Sequence, residues 1–538
     1  MSTIPSYVFG NSDIPLLGET IGYNLKNTVK KYPNQTALIV VHQNIQFTYQ
    51  QFWDYTTQIA KGLVAAGIQK GDRVGIWAPN CYEWVVIQYA TARIGAILVN
   101  LNPAYRSQDL LYVLNQSKMK LIVSALKFKT SNYKQMLTKV KRKAEYLEQT
   151  VFLDQDWENL KKQGESISEQ ELEQIEATIQ FDEPINIQYT SGTTGFPKGV
   201  TLSHHNVLNN GYFIGERLRY TNQDIVCIPV PFFHCFGMVI GNMACTTHGS
   251  TMVIPGDNFN PADALQAVQT YKCTSLYGVP TMFIAELQLP NFADYDLTSL
   301  RTGVMAGSPC PIEVMKQVQS KMYMKEVSIC YGMTETSPVS TQTKIGAPLD
   351  KQVQTVGTIQ DHLEIKIIDP VTKQIVPRGV PGELCVRGYS VMLKYWDNPE
   401  ATAAVIDDAR WMHTGDIGVI DEDGYVSITG RIKDIIIRGG ENVSPREIEE
   451  FLYTHKSVED VQVIGVPDPK YGEAIMAWIK PIAGCKVTED DFINFCKDQI
   501  AHYKVPKYWK FVDGFPMTIS GKVRKVEMRE IAVKELGL

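Results

Sequence analysis

Between Lys30 and Asn102 short apolar runs alternate with helical patterns, and this alternation narrows the fold more than any other feature of the chain. ALIVV (Ala37–Val41) and DRVGIWA (Asp72–Ala78) read as strands. TYQQFWDYTTQIAKGLVAAG (Thr48–Gly67) has helical spacing and closes on a glycine. Strands that alternate with helices predict an α/β layered architecture. The chain has 538 residues. At about 100–200 residues per domain, that is too long for one simple core, so at least two domains are expected.

A boundary is expected at Gly430–Lys433. Before it, VPRGVPGELCVRG (Val376–Gly388) and DEDGYVSITG (Asp421–Gly430) read as hairpins with glycine turns. After it, SPREIEEFLYTH opens a helix, with Ser444 as N-cap, Pro445 at the first helical position and Glu447 completing a capping box. VEDVQVIGVPDPKYGEAIMAWIKP then reads as two strands around a turn, and Thr488 with Asp491 starts another helix. The predicted organisation is α/β. A large multi-layer N-terminal domain of β-sheets with helices and a small β-rich subdomain spans 1–431, and a small α+β domain spans 432–538. Lys139–Glu183, rich in Lys, Glu and Gln, reads as a solvated connector or surface helix.

The net charge of −6 argues against a nucleic-acid partner and gives no reason to expect an anionic membrane partner. Ten scattered cysteines without a C-x-x-C pair suit a reducing, cytoplasmic setting and do not have zinc-site spacing. The start, MSTIPSYVFGNSDIP, has no basic or apolar leader pattern. The most apolar tract, Ile225–Gly249, is interrupted by prolines, histidines and Asn242, and reads as buried core rather than a membrane span.

The most distinctive short stretch is YTSGTTGFPKG (Tyr189–Gly199). It is not a Walker loop, because Gly192 and Gly195 are three apart and Lys198 precedes Gly199 rather than Ser or Thr. NIQYT reads as a strand end before it and GVTLSH as a strand after it. Such a strand–loop–strand can present backbone N–H groups at Gly192 to an anion. The hydroxyls of Thr190, Ser191, Thr193 and Thr194 can donate to phosphate oxygens, and Lys198 supplies a point charge.

With YGMTE (Tyr331–Glu335), HTGD (His413–Asp416), GRIKDIIIRGGENVSPREIE (Gly430–Glu449) and ISGKVRK (Ile519–Lys525) in order behind it, this loop resembles the signature of the adenylate-forming enzymes. The resemblance covers about Asn24 to Lys525. With PFFHCFG and YWDNPEAT, the chain is most similar to medium- to long-chain fatty acid CoA ligases. The resemblance implies a ligase. It would join a carboxylic acid to AMP from ATP with Mg²⁺, release pyrophosphate, and pass the acyl group to coenzyme A.

On that resemblance, Thr190 to Lys198 face the β- and γ-phosphates. Glu335 is the Mg²⁺ carboxylate with Thr334 beside it. Tyr331, with Gly332 and Met333, offers a face to adenine, while Gly307 and Ser308 of AGSPCP read its edge. Asp416 accepts from the ribose hydroxyls and Arg431 reaches the sugar or the α-phosphate. Lys522 bridges carboxylate and α-phosphate. Lys433 matches the hinge of a mobile C-terminal domain, and Arg438, Gly439 and Gly440 shape the thiol passage.

Considered alone, Asp416 could be a turn residue, Arg431 a boundary ion pair and Lys522 a solvated tail lysine. His234 and Phe236, with Val279 of GVPTMF, are candidate walls for the acyl group, and plain core is the competing reading. A close rival is an aryl- or branched-acid CoA ligase. Another is an acyl-adenylate ligase that loads a carrier protein. A fatty substrate is compatible with weak peripheral membrane contact, although no amphipathic anchor stands out. Monomer and homodimer both remain open.

Overall fold

The computed structural model describes residues 4–190, 197–308, 310–438, 441–497, 499–518 and 522–538. The chain divides into two compact units. The larger comprises Val8–Ile365 and Val386–Met412, and the smaller Met1–Tyr7, Lys366–Cys385 and His413–Leu538. The chain passes from one to the other within strands Leu363–Ile368 and Gly382–Gly388.

The larger unit contains a seven-stranded and a nine-stranded sheet. In the first, Pro184–Thr190, Ile97–Asn100, Arg73–Trp77, Met119–Ser124 and Gln149–Phe152 are parallel neighbours. Lys198–Ser203 adds antiparallel to Pro184–Thr190, pairing Thr190 with Lys198. In the second, Ile225–Cys227, Ser275–Gly278, Thr302–Ala306 and Glu326–Gly332 run parallel side by side. The expected strands at 37–41 and 72–78 form as Thr36–Val40 and Arg73–Trp77. Helix Tyr49–Ala65 starts at Thr48 with a complete capping box. The tract from Ile225 is buried core, as its composition implied, and continues as a π-helix, Phe236–Met243, whose residues are all buried. No helix among the described residues is long and apolar enough to cross a membrane.

Two expectations need correction. The 139–183 stretch holds largely exposed helices at Leu153–Gln163 and Glu169–Glu176, in line with its surface-helix reading, but Gln149–Phe152 before them is the edge strand of the seven-stranded sheet, which neither a connector nor a helix foresaw. Ser444 stands at the N-cap of Pro445–Tyr453 without capping it; its hydroxyl donates to the Thr429 carbonyl instead. Glu447 pairs with Lys504 rather than closing a box.

In the smaller unit, Val458–Asp468 and Gly472–Pro481 form the expected antiparallel pair. Alternation along the second strand serves two cores. Ile475, Ala477 and Ile479 pack with Ile448 and Leu452 of helix Pro445–Tyr453 and with Phe492 of helix Glu489–Cys496. Ala474, Met476 and Trp478 face Met528 and Ala532 of helix Lys525–Leu536. Thr488 and Asp491 make the predicted capping box. Met412–Ile420 and Val426–Arg431 form a hairpin that brings Asp416 opposite Arg431.

Candidate active site

The register of the nine-stranded sheet gathers several of the motifs. Cys227 pairs with Leu276, Gly278 with Met305 and Ala306 with Cys330. The segments that leave these parallel strands at their carboxyl ends are PFFHCFG, GVPTMF, AGSPCP and YGMTE. The carboxyl edge of a parallel sheet is where α/β proteins place ligands, because the chain there is free to vary in loops. The main-chain turn of YGMTE is tight. A Cβ at Gly332 would lie 1.7 Å from the Pro338 carbonyl oxygen, so only glycine fits. Gly307 has φ +94°, where a side chain is strained.

Glu335 and Thr334 are both buried. Tyr395 donates its hydroxyl to Glu335 Oε1 at 2.8 Å, and Lys198 Nζ lies 4.9 Å from the centre of the same ring. Burial, and then the neighbouring Glu335 carboxylate, push the Tyr395 pKa well above its ordinary value, so it stays a donor. One tyrosine thus joins the loop lysine to the candidate metal carboxylate. No other hydrogen bond from the described residues reaches Glu335's side chain, which leaves Oε2 for an ion. A single carboxylate of this kind fits Mg²⁺, which takes one or two carboxylates plus phosphate oxygens rather than a protein cage.

Thr334 Oγ1 accepts from Cys235 Sγ at 3.8 Å, tying YGMTE to PFFHCFG. The Phe236 N–H donates to His234 Nδ1 at 3.1 Å, which assigns the ring proton to Nε2. Phe236 and Val279 are buried, and the Phe236 ring centre is 6.0 Å from that of Tyr277. Ser308 and Tyr331 are half-buried.

In the smaller unit, Arg431 Nε donates to Asp416 Oδ1 at 2.9 Å, with Asp416 buried and Arg431 largely exposed. The Asp416 N–H donates to Thr414 Oγ1, whose hydroxyl donates to the Leu384 carbonyl. On the same hairpin, His413 Nδ1 is 3.1 Å from Glu383 Oε2 and 3.5 Å from Cys385 Sγ. Lys433 is exposed. Arg438 donates through Nη1 to the carbonyls of Tyr503 and Val505, so much of its hydrogen bonding is directed at the protein. The Lys522 N–H donates to Thr518 Oγ1 at 2.9 Å, and the Thr518 N–H donates to the Lys522 carbonyl. Ser191, Gly192, Thr193, Thr194, Gly439 and Gly440 lie outside the described residues.

The residue that sequence reasoning missed is Tyr395. It opens YWDNPEAT, a stretch noted for general resemblance without a role, and its partners Lys198 and Glu335 are far away in sequence. The Glu383–Cys385–His413 contact likewise has no spacing signal, since it forms across strands.

This is the architecture of an adenylate-forming enzyme, and the chain belongs to the AMP-binding enzyme family. That family's model matches residues 25–396, and the AMP-binding enzyme C-terminal domain matches residues 447–522. Among curated relatives, Bacillus subtilis (strain 168) YngI, provisionally named an acyl-CoA synthetase, is 46% identical over 97% of this chain and 99% of its own. The mitochondrial medium-chain acyl-CoA ligase ACSF2 of Danio rerio is 43% identical over 99% of this chain and 91% of its own. Among solved structures, ATP-bound MatB from Rhodopseudomonas palustris superposes with a TM-score of 0.82 at 28% identity, covering 96% of this chain and 99% of that one.

Proposed function

We propose that this chain is an AMP-forming acyl-CoA synthetase acting on medium- or long-chain fatty acids. The observation that carries it is the Lys198–Tyr395–Glu335 arrangement, in which a phosphate-loop cation and a buried carboxylate meet at one ring. A carboxylate is a poor acyl donor, because its charge repels nucleophiles and its leaving group is oxide. Its attack on the α-phosphate of ATP gives an acyl-adenylate with AMP as a good leaving group, which a thiol then displaces.

In this reading Lys198, with the hydroxyls from Thr190 to Thr194, holds the β- and γ-phosphates. Glu335, with Thr334 beside it, holds Mg²⁺, which when bound neutralises phosphate charge. Tyr395 orients Glu335. Tyr331, Gly332, Met333, Gly307 and Ser308 take the adenine. Asp416 accepts from the ribose hydroxyls, while Arg431 screens phosphate or sugar. Lys522 offsets the repulsion between carboxylate and α-phosphate, a preorganised contribution worth roughly 3 kcal/mol per donor. His234, Phe236 and Val279 wall the acyl group. Arg438, Gly439 and Gly440 shape the thiol passage after residues 432–538 turn about Lys433. The names of the relatives support an acyl substrate, and the medium-chain name of the ACSF2 proteins supports the shorter end of that range.

The test is an ATP–Mg²⁺ assay over straight-chain acids from short to long, together with benzoate- and cinnamate-type acids. Pyrophosphate and acyl-CoA are followed separately, with and without coenzyme A. Acyl-CoA from medium or long chains is the expected result. Turnover of aryl acids alone, or pyrophosphate release without transfer to coenzyme A, overturns it.

A further inference from the structure

The chain is acidic overall, with a net charge of −6, but the acid is unevenly spread. Between Asp109 and Glu145 there are nine lysines and arginines and no aspartate or glutamate. Lys118 and Lys120, the first two, are neutralised by Asp397 and Asp72 at 2.7 and 2.9 Å. The rest fall on a compact piece of the larger unit: a short hairpin, Lys127–Phe128 with Ser131–Asn132, which runs directly into helix Tyr133–Val140 and the turn Lys141–Lys143. Tyr133, Leu137 and Val140 bury one face of that helix, so its basic residues are pushed outward. Lys127, Lys129, Lys139, Lys141, Arg142 and Lys143 are all exposed, and among the described residues no carboxylate pairs with any of them. Lys134, also exposed, reaches Gln155 at 2.9 Å. An aromatic accompanies the charge: Tyr146, just beyond the turn, is 44% exposed.

A solvated charged face ordinarily mixes signs, since uncompensated like charges repel. Six cations without a carboxylate partner on three consecutive short elements of an acidic protein are instead a local positive field with a purpose, and none of these residues belongs to the candidate active site. We propose that this hairpin–helix–turn is a docking surface for an anionic lipid bilayer, bringing the enzyme to the phase into which its fatty substrate partitions. Charge complementarity favours the bilayer, because clustered Lys and Arg side chains meet a broad negative surface. The Lys and Arg stems, with Tyr146, suit the apolar-to-polar boundary of the headgroup layer. The attachment is electrostatic and reversible, with no inserted helix, and it weakens as salt shortens the range of the field.

The test is co-sedimentation of the full chain with phosphatidylcholine vesicles with and without phosphatidylglycerol, at low and high salt. Binding is expected only with phosphatidylglycerol and is lost at high salt. Each removed cation weakens binding by roughly fivefold. The combined variant Lys139→Gln, Lys141→Gln, Arg142→Gln and Lys143→Gln is therefore expected to bind roughly several-hundred-fold more weakly. Circular dichroism and turnover of a soluble medium-chain acid in vesicle-free buffer are expected to be unchanged, and this assay also reports separately on the ligase reading. Equal binding to both vesicle types, or undiminished binding by the variant, overturns the proposal. So does an absence of vesicle binding accompanied by charge-dependent capture of an acidic carrier protein.

Discussion

Tyr395 and Glu286 show how much a single side chain can decide. Tyr395 gives the Glu335 carboxylate its one hydrogen bond from the described residues, and a hydrogen bond to a charged group contributes roughly 1.5–3 kcal/mol. Tyr395→Phe is therefore expected to lower kcat/KM for MgATP by about tenfold or more while leaving the KM for the acid nearly unchanged. Steady-state kinetics with each substrate varied in turn checks this, and an equal rise in both KM values would point to general misfolding. Glu286 is the opposite case. It is fully buried in helix Pro280–Leu287, and neither carboxyl oxygen has a partner among the described residues. Burial raises its pKa well above 4.5, the unfolded value. A group so raised contributes no penalty below that pH and destabilises increasingly as pH rises above it. Glu286→Gln is thus expected to match the parent's Tm below pH 4.5 and to exceed it by several degrees at neutral pH. A Tm difference that does not change with pH would refute the buried-carboxyl account. The sequence announced Lys198 and Glu335 through their motifs but could not announce Tyr395, because the triangle closes only when two sheets fold. Nor could it reveal Glu286, whose helix would read equally well with that side chain in water.

Elements were legible where the signal was local. The helix from Thr48, the capping box at Thr488 and the strand pair around the signature loop rest on signals within a few residues of sequence, and they formed as read. Ser444 carried the same cap signature, but Thr429, on the preceding hairpin, took its hydroxyl. Gln149–Phe152 was missed because a four-residue edge strand amid charged residues has too few apolar positions to show a period. The π-helix Phe236–Met243 was invisible for another reason: a segment buried on every side has no face from which to read its pitch. That segment packs closely on helix His204–Arg217. A Cβ at Gly211 would lie 2.3 Å from Met243 Cβ. Gly211→Ala must separate the two elements, at a cost of about 1–3 kcal/mol for overpacking. Because Phe236 rides on the displaced segment, the KM for the acid is expected to rise several-fold while that for ATP stays near its parental value. Thermal melts and paired kinetic titrations measure the two effects, and an unchanged Tm would show that the contact relaxes freely.

For the whole molecule, the two half-reactions ask different things of residues 432–538. Adenylation needs a cation between two anions, and thioester formation needs that cation withdrawn and a path opened for the thiol. If one segment does both, it must turn, and a hinge residue absorbs the change in backbone angles. Lys433 stands in the turn between Val426–Arg431 and Ile436–Arg438, where the N–H groups of Asp434 and Ile435 both donate to the Arg431 carbonyl. A proline at 433 fixes φ near −65° and removes a rotation that turning would need. Lys433→Pro is expected to retain a burst of pyrophosphate and adenylate near the parental rate, with thioester formation at least tenfold slower. Lys522→Ala is expected to do the reverse, losing adenylate formation while still converting a supplied acyl-adenylate and coenzyme A to the thioester. Rapid-quench measurement of each half-reaction in both variants separates the roles. Opposite defects mean that one mobile segment serves both steps in turn. If both variants lose the same half-reaction, the 432–538 segment acts in a single position, and the hinge role of Lys433 must be given up.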